Sequence, residues 1–226
     1  MKRFLLCILM IFTILSGCEQ TPHTTESIVK TDFSSGIWIS YSEIRAMLKS
    51  DNGFRSEFSN MLEKAKRLHI NNFYIHVRSH CDSIFKSDYF PLSALAKQID
   101  YDIFSYMLNL CHQNNIKVHA WINPFRVSAK SQELETLPTD SPVYRWLKDN
   151  DINNDRNVVF SNGIYLNPGE FEARQLVING IKELLQKYEV DGIHFDDYFY
   201  PTTDKEFDKE SYELYQKDTK ANLPLA

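Results

Sequence analysis

The chain has 226 residues, ample for one domain with a sizeable core. It carries 25 Lys and Arg against 30 Asp and Glu, a net charge of −5 with no basic stripe, so nucleic acid is not an expected partner. Fifteen Phe and twelve Tyr suit an aromatic core, and equally a surface that stacks on the C–H faces of sugar rings.

The N-terminus carries a targeting signal. Lys2 and Arg3 precede an apolar run from Phe4 to Leu15, and Ser16-Gly17-Cys18 follows. A charged start, an apolar stretch too short to span a bilayer stably and a small-residue cleavage site make residues 1–17 a signal peptide. Leu15-Ser16-Gly17-Cys18 resembles the lipobox of bacterial lipoproteins. That resemblance implies cleavage before Cys18, lipidation of its thiol and anchoring to a bacterial membrane in the cell envelope. A plain secretory peptide with an incidental Cys18 is the alternative. Residues 18–35 are polar, rich in Thr and Ser, and read as a flexible tether, which leaves 36–226 as the folded domain.

Gly36 to Tyr41 is the first expected core strand. Glu43–Lys49 and Ser56–Leu68 follow with helical spacing, Phe58, Met61, Leu62, Ala65 and Leu68 inward and Lys64, Lys66 and Arg67 outward. His69 to Asn72 is a turn. Strand two, Phe73 to Val77, points Phe73, Ile75 and Val77 to the helices and Tyr74, His76 and Arg78 to the other face. Ser79 to Gln98 is long for a structural connection and has the length of a binding loop. Helix two spans Tyr101 to Asn114, with Ile103, Tyr106, Met107 and Leu110 buried.

Strand three, Lys117 to Asn123, alternates Val118, Ala120 and Ile122 with an inward set of His119, Trp121 and Asn123, and Pro124 ends it. The long stretch from Phe125 to Gly169 is expected to place Trp146 and Val158-Val159-Phe160 in a small hairpin over a barrel mouth. Helix three, Phe171 to Tyr188, buries Leu176, Val177, Ile181, Leu184 and Leu185; a fourth is expected within Asp204 to Lys220.

Helix three delivers the chain to its central stretch, Val190-Asp191-Gly192-Ile193-His194-Phe195-Asp196-Asp197-Tyr198-Phe199-Tyr200-Pro201. Val190, Ile193 and Phe195 suit a short buried strand, and Gly192 lets a neighbouring backbone come close. On a regular strand His194, Asp196 and Tyr198 share one face. Asp191 reads as a turn residue, and His69 and His112 as surface residues. Cys7 leaves with the signal peptide, Cys18 takes the lipid, and Cys81 and Cys111 fall toward opposite ends of the sheet. A disulfide needs Cα atoms within about 7 Å, so both are expected to be free thiols.

The order is βα three times, then a strand and a helix, with no glycine-rich phosphate loop, which weighs for a barrel over a nucleotide-binding sheet. His119-Ala120-Trp121-Ile122-Asn123-Pro124-Phe125-Arg126-Val127, Leu166-Asn167-Pro168-Gly169 and Asp191 to Pro201, with strand two and its loop, together resemble the glycosyl-hydrolase-like family 10. The resemblance covers roughly Gly36 to the C-terminus. It implies a TIM-barrel glycoside hydrolase of the bacterial envelope, some members being lipoproteins that cut the glycan strands of peptidoglycan. His76 and Cys81 depart from the family pattern, while Arg78 and Asp82 keep it. The chain ends about where family members continue into four more strands. It is therefore expected to be an α/β fold of the (β/α)8 TIM-barrel type, N-terminal half only, since a whole barrel takes roughly 250 residues. Half a barrel leaves two long strand edges open, which a second chain could close instead.

Glycoside hydrolysis takes two carboxyl groups. Asp191 to Asp196 has the Asp-Gly-x-x-x-Asp spacing of barrels similar to the α-amylase group, and that resemblance implies that Asp196 is the nucleophile. Asp197 is the alternative or supporting carboxylate. Where the chitinase-type motif has its acidic Glu this chain has Tyr198, so a substrate-assisted mechanism through that residue is not expected. The second carboxylate is not identified; Asp82 and Glu170 lie on loops that could reach. Arg78, Asp82, His119, Trp121, Asn123, His194 and Tyr198 are expected to contact substrate, with Trp121 as a stacking platform and His194 orienting Asp196. His76, His119 and His194 come from different strands without helical metal-ligand spacing, so no metal or cofactor is expected. The expected partner is a polysaccharide or glycan strand; a non-catalytic, carbohydrate-binding surface lipoprotein is the alternative.

Overall fold

The computed structural model describes residues 33–129, 131–196, 202, 204, 206, 207 and 209–219. Cys18, Asp197, Tyr198 and the signal peptide lie outside the described residues. Four strands form a wholly parallel sheet: β1 (Gly36–Ile39), β2 (Asn72–Arg78), β3 (Lys117–Ile122) and, after a long insertion, β7 (Gly192–Phe195), in that spatial order. Helices return the chain between them: α1 (Tyr41–Lys49) and α2 (Phe54–Arg67) after β1, α3 (Ile103–Gln113) after β2, α5 (Phe171–Lys187) before β7. This is an α/β fold built on a parallel sheet, as the alternation of strand and helix patterns requires.

The helix-facing side of the sheet is the main core. Ile39, Phe73, Ile75, Val77, Val118, Ala120 and Ile122 meet Ile44 of α1, Phe58 and Leu62 of α2, Phe104 and Met107 of α3 and Leu184 of α5. Each large apolar side chain buried here contributes about 1.5–3 kcal/mol. Strand one stops at Ile39, short of the expected Tyr41, because Ser40 becomes the N-cap of α1. Its hydroxyl accepts from the Ser42 amide at 3.1 Å while Glu43 accepts from the Ser40 amide at 2.9 Å. Leu68 and Leu185 were expected inside and are exposed, at 70% and 53%. Leu68 lies past the last turn of α2, and Leu185 has rotated out of the stripe defined by Val177 and Leu184.

The insertion between β3 and α5 carries a second, antiparallel sheet of β4 (Arg126–Ser128), β5 (Val158–Phe160) and β6 (Ile164–Leu166), in the order β4-β6-β5. The expected hairpin is therefore one edge of a three-stranded sheet. Trp146 is not in it; it ends the short helix α4 (Pro142–Trp146) and packs, partly buried, against the second apolar cluster, which includes Val143, Val158 and Ile164. The last helix, α6, is Lys209–Thr219.

Glu183 pins the loop after β2 to α5. It is 5% exposed, accepts from the Asp88 amide at 2.7 Å and from Lys187 Nζ at 2.7 Å, and is bonded by the Ser87 hydroxyl. Lys187 also donates to the Lys86 carbonyl at 2.9 Å. Tyr188 closes the other end of this packing by donating to Asp102, the N-cap of α3, at 2.6 Å. Cys81 and Cys111 are buried and unpaired, and burial pushes both thiols up to about 12.

Candidate active site

The opposite face of the parallel sheet carries rings in rows set by the strand register. Trp38, Tyr74, His119 and Gly192 stand across the four strands in one row, and His76, Trp121 and His194 in the next. Tyr74 stacks between Trp38 at 5.0 Å and His119 at 4.8 Å, and His76 lies flat on Trp121 at 3.8 Å. The sheet is strongly curved. Trp38 Nε1 on β1 donates to His194 Nε2 on β7 at 3.1 Å, although a flat sheet would hold those strands about 14 Å apart.

Gly192 has a different purpose from the one expected. A Cβ there would meet His119 Nδ1 at 2.5 Å, so the missing side chain admits an imidazole, not a neighbouring backbone. Gly36 does the same for the Tyr74 ring on the other edge, at 2.6 Å. Below this row, Asp191 is also more than a turn residue. Its carboxylate accepts from the Val118 amide at 2.7 Å and bonds His112 Nε2 at 2.9 Å. Burial would raise the Asp191 carboxyl, but these bonds and the nearby imidazoles hold it below its usual value.

Asp196 follows the last residue of β7 directly and is exposed, at the C-terminal end of the parallel strands. Phe195 pairs with Ile122, so the ends of β7 and β3 lie side by side, and Asn123 follows Ile122.

The family model described as glycosyl hydrolase-like 10 matches residues 35–225. This chain belongs to that family. The glycosyl hydrolase YngK of Bacillus subtilis (strain 168) is 30% identical over 180 residues, which are 75% of this chain and 33% of that protein. The glycosyl hydrolase DigH of Escherichia coli (strain K12) is 30% identical over 169 residues, 68% of this chain and 37% of that one. The chain thus spans about a third of the length of these curated relatives. Among solved structures, alpha-L-fucosidase isoenzyme 2 from Paenibacillus thiaminolyticus superposes with a TM-score of 0.49 at 14% identity, covering 73% of this chain and 23% of that one.

In this glycosyl hydrolase-like 10 chain the expected contact residues separate by depth. Trp121 is 9% exposed, one ring face is covered by His76, and its Nε1 donates to Asn123 Oδ1 at 3.1 Å. It is therefore part of the packed interior of this face, not an open platform. Asn123 is 2% exposed and passes the chain of bonds on, its amide donating to the Ser79 carbonyl at 3.2 Å. His119 bonds Asn72 Oδ1 at 3.1 Å, in the row of Gly192, about 13 Å along the strand below Asp196. That depth removes it from the rim. His194 lies between the two levels and accepts from Trp38 Nε1, where the sequence led us to expect it to orient the carboxylate.

Arg78 and Asp82 are at the rim. Arg78 is 4% exposed, donates to the Pro124 carbonyl at 3.0 Å and stacks over Phe90 at 4.4 Å. Burial brings its guanidinium down to about 10. Asp82 is half-buried, and burial pushes its carboxyl up to about 6 against the pull of Arg78 and Lys97. His76, 2% exposed, is the residue that sequence reasoning undervalued. Burial first, then the charges of His80 and Arg126, drive it down to about 3, so it is neutral at physiological pH. Asn123 pulls weakly the other way, yet neither His76 nitrogen has a partner within hydrogen-bonding geometry. Among the described residues no group of three His, Cys, Asp or Glu is arranged to hold a metal ion.

Proposed function

We propose that this chain forms the N-terminal wall of a glycoside-hydrolase barrel that cuts a bacterial cell-envelope glycan such as peptidoglycan strands. In this reading β1, β2, β3 and β7 are four consecutive barrel strands, and the ring-bearing concave face is the barrel interior. Asp196 is the nucleophile, attacking the anomeric carbon while a second carboxyl group protonates the leaving oxygen. Asn123 and Arg78 stand near Asp196, Asp197 serves as the supporting carboxylate and Tyr198 as a substrate contact, and lipidated Cys18 with the residue 18–35 tether holds the domain at the membrane.

The observation that carries the reading is the exposed Asp196 carboxylate at the C-terminal end of a curved parallel sheet, where barrel enzymes do their chemistry. Membership of a glycosyl hydrolase-like family supports the reaction class. The test is release of reducing ends from peptide-free glycan strands by the wild type and by Asp196→Asn. The variant should lose on the order of a thousandfold or more in rate. Equal rates, or wild-type binding without turnover, would overturn the assignment.

A further inference from the structure

The register of the sheet places Asn123 beside Asp196: Ile122 pairs with Phe195, and these two residues come next in their strands. Asn123 is buried and firmly held there. Its main-chain amide donates to the Arg78 carbonyl at 2.9 Å, its Nδ2 donates to the Ser79 carbonyl at 3.2 Å, and its Oδ1 accepts from Trp121 Nε1 at 3.1 Å. An indole nitrogen only donates, so the Trp121 bond decides which end of the Asn123 amide is oxygen and which is nitrogen. A second N–H and a second lone pair of that amide are left for a neighbour or a substrate.

Trp121 can fix the Asn123 amide only if its own ring is fixed, and two imidazoles do this. His76 lies flat on the indole, with ring centroids 3.8 Å apart and 7° between the planes, while His194 meets it edgewise at 6.2 Å and 74°. His194 is itself tied down by its bond to Trp38. His76 is not: it is 2% exposed, and neither of its nitrogens has a partner within hydrogen-bonding geometry. A buried polar ring that bonds nothing costs stability. An aliphatic side chain of similar size would fill the same space without that cost. What it could not supply is the flat face laid on Trp121.

We infer that His76 is a positioning residue: its flat face fixes the Trp121 ring, and through that ring the orientation of the Asn123 amide beside Asp196. The link from His76 to Asn123 stands on the contacts themselves, and its bearing on turnover rests on the glycoside-hydrolase reading of Asp196.

The experiment compares His76→Leu, which keeps the bulk and loses the flat face, with His76→Phe, which keeps a flat ring. Both remove the unbonded nitrogens, so both should fold with stability at pH 7 close to that of the wild type or above it. They should differ at Asn123. In NMR, the Trp121 indole N–H and the Asn123 side-chain N–H groups should exchange with solvent as slowly in His76→Phe as in the wild type. In His76→Leu they should exchange about tenfold faster. On peptide-free glycan strands, kcat of His76→Leu should fall about tenfold or more with KM within about twofold, and His76→Phe should keep the wild-type rate. A side chain with a merely space-filling role would leave kcat unchanged in a variant of undiminished stability.

Fast exchange in both variants would show that the imidazole nitrogens do the holding, and slow exchange in both that Trp121 needs no stack; either overturns the inference. Exchange rates that split as stated with kcat unchanged in His76→Leu would also overturn it, since the Asn123 orientation would then have no part in turnover. If the wild type cleaves no glycan while the exchange rates split, the His76–Trp121–Asn123 link stands and the hydrolase reading falls instead.

Discussion

Trp38 and His194 stand on the two outermost strands of the parallel sheet, yet Trp38 Nε1 and His194 Nε2 are 3.1 Å apart. An indole nitrogen only donates, so His194 Nε2 must accept, and the neutral imidazole carries its proton on Nδ1. One bond therefore links sheet curvature to a histidine tautomer. Trp38→Phe keeps the ring but removes the donor. It should cost about 0.5–1.5 kcal/mol in urea unfolding, and His194 should lose its single-tautomer signature in 15N spectra. An unchanged spectrum would show that the tautomer is held by something else.

Gly192 and His119 offer a second test. A methyl group on residue 192 cannot coexist with the imidazole, since its Cβ would lie 2.5 Å from His119 Nδ1. Gly192→Ala should destabilise by about 1–3 kcal/mol as the ring is displaced and its bond to Asn72 lost. Adding His119→Ala should make the second loss smaller than the sum of the two single losses, a coupling measurable in a double-mutant cycle. Strict additivity would mean that the ring has another place to go.

His76 makes stability pH-dependent in a definite direction. Its folded value is brought from 6.5 to about 3, so below 6.5 the unfolded chain takes up a proton that the folded one refuses. The stability is fully present above 6.5 and falls as pH drops from there toward 3. His76→Phe preserves stacking on Trp121 and removes two unbonded nitrogens. The variant should be at least as stable as the wild type at pH 7, and its stability should fall less between pH 6.5 and 4 in thermal melts. A parallel fall in both proteins contradicts the assignment.

Asp191 behaves in the more familiar way for a carboxylate. Its value is lowered, so the stability it confers is present above the unfolded value of about 3.9 and is lost as pH falls through the folded one. Asp191→Ala leaves the Val118 amide without its acceptor and should cost about 1–3 kcal/mol at pH 7. Asp191→Asn can still accept from Val118 but should flatten the acid limb of the stability curve below pH 4. Faster amide exchange at Val118 in the alanine variant would confirm that the carboxylate closes this end of the sheet.

Much of this was legible before any coordinates. Alternation along Phe73 to Val77 and Lys117 to Ile122 sorted core residues from inward ones, because period two on a strand leaves no other choice. The Asp-Gly motif marked where β7 begins. What alternation cannot reveal is depth and partners. His119, Trp121 and Asp196 all qualify as inward or rim residues by sequence, and only the register shows that His119 lies in the Gly192 row while Asp196 stands past the last strand residue. The Trp38–His194 and Asp191–His112 bonds span 156 and 79 residues, and no local pattern announces them.

The amino-acid order by itself determined the strand–helix alternation, the side each strand residue faces and the family, since all three follow from short-range periodicity and contiguous motifs. Tertiary structure alone decided the curvature of the sheet and the burial that keeps His76 neutral and Asp82 up near 6. Those properties depend on which distant groups share a low-dielectric interior, and that is a matter of proximity in space, not of spacing along the chain.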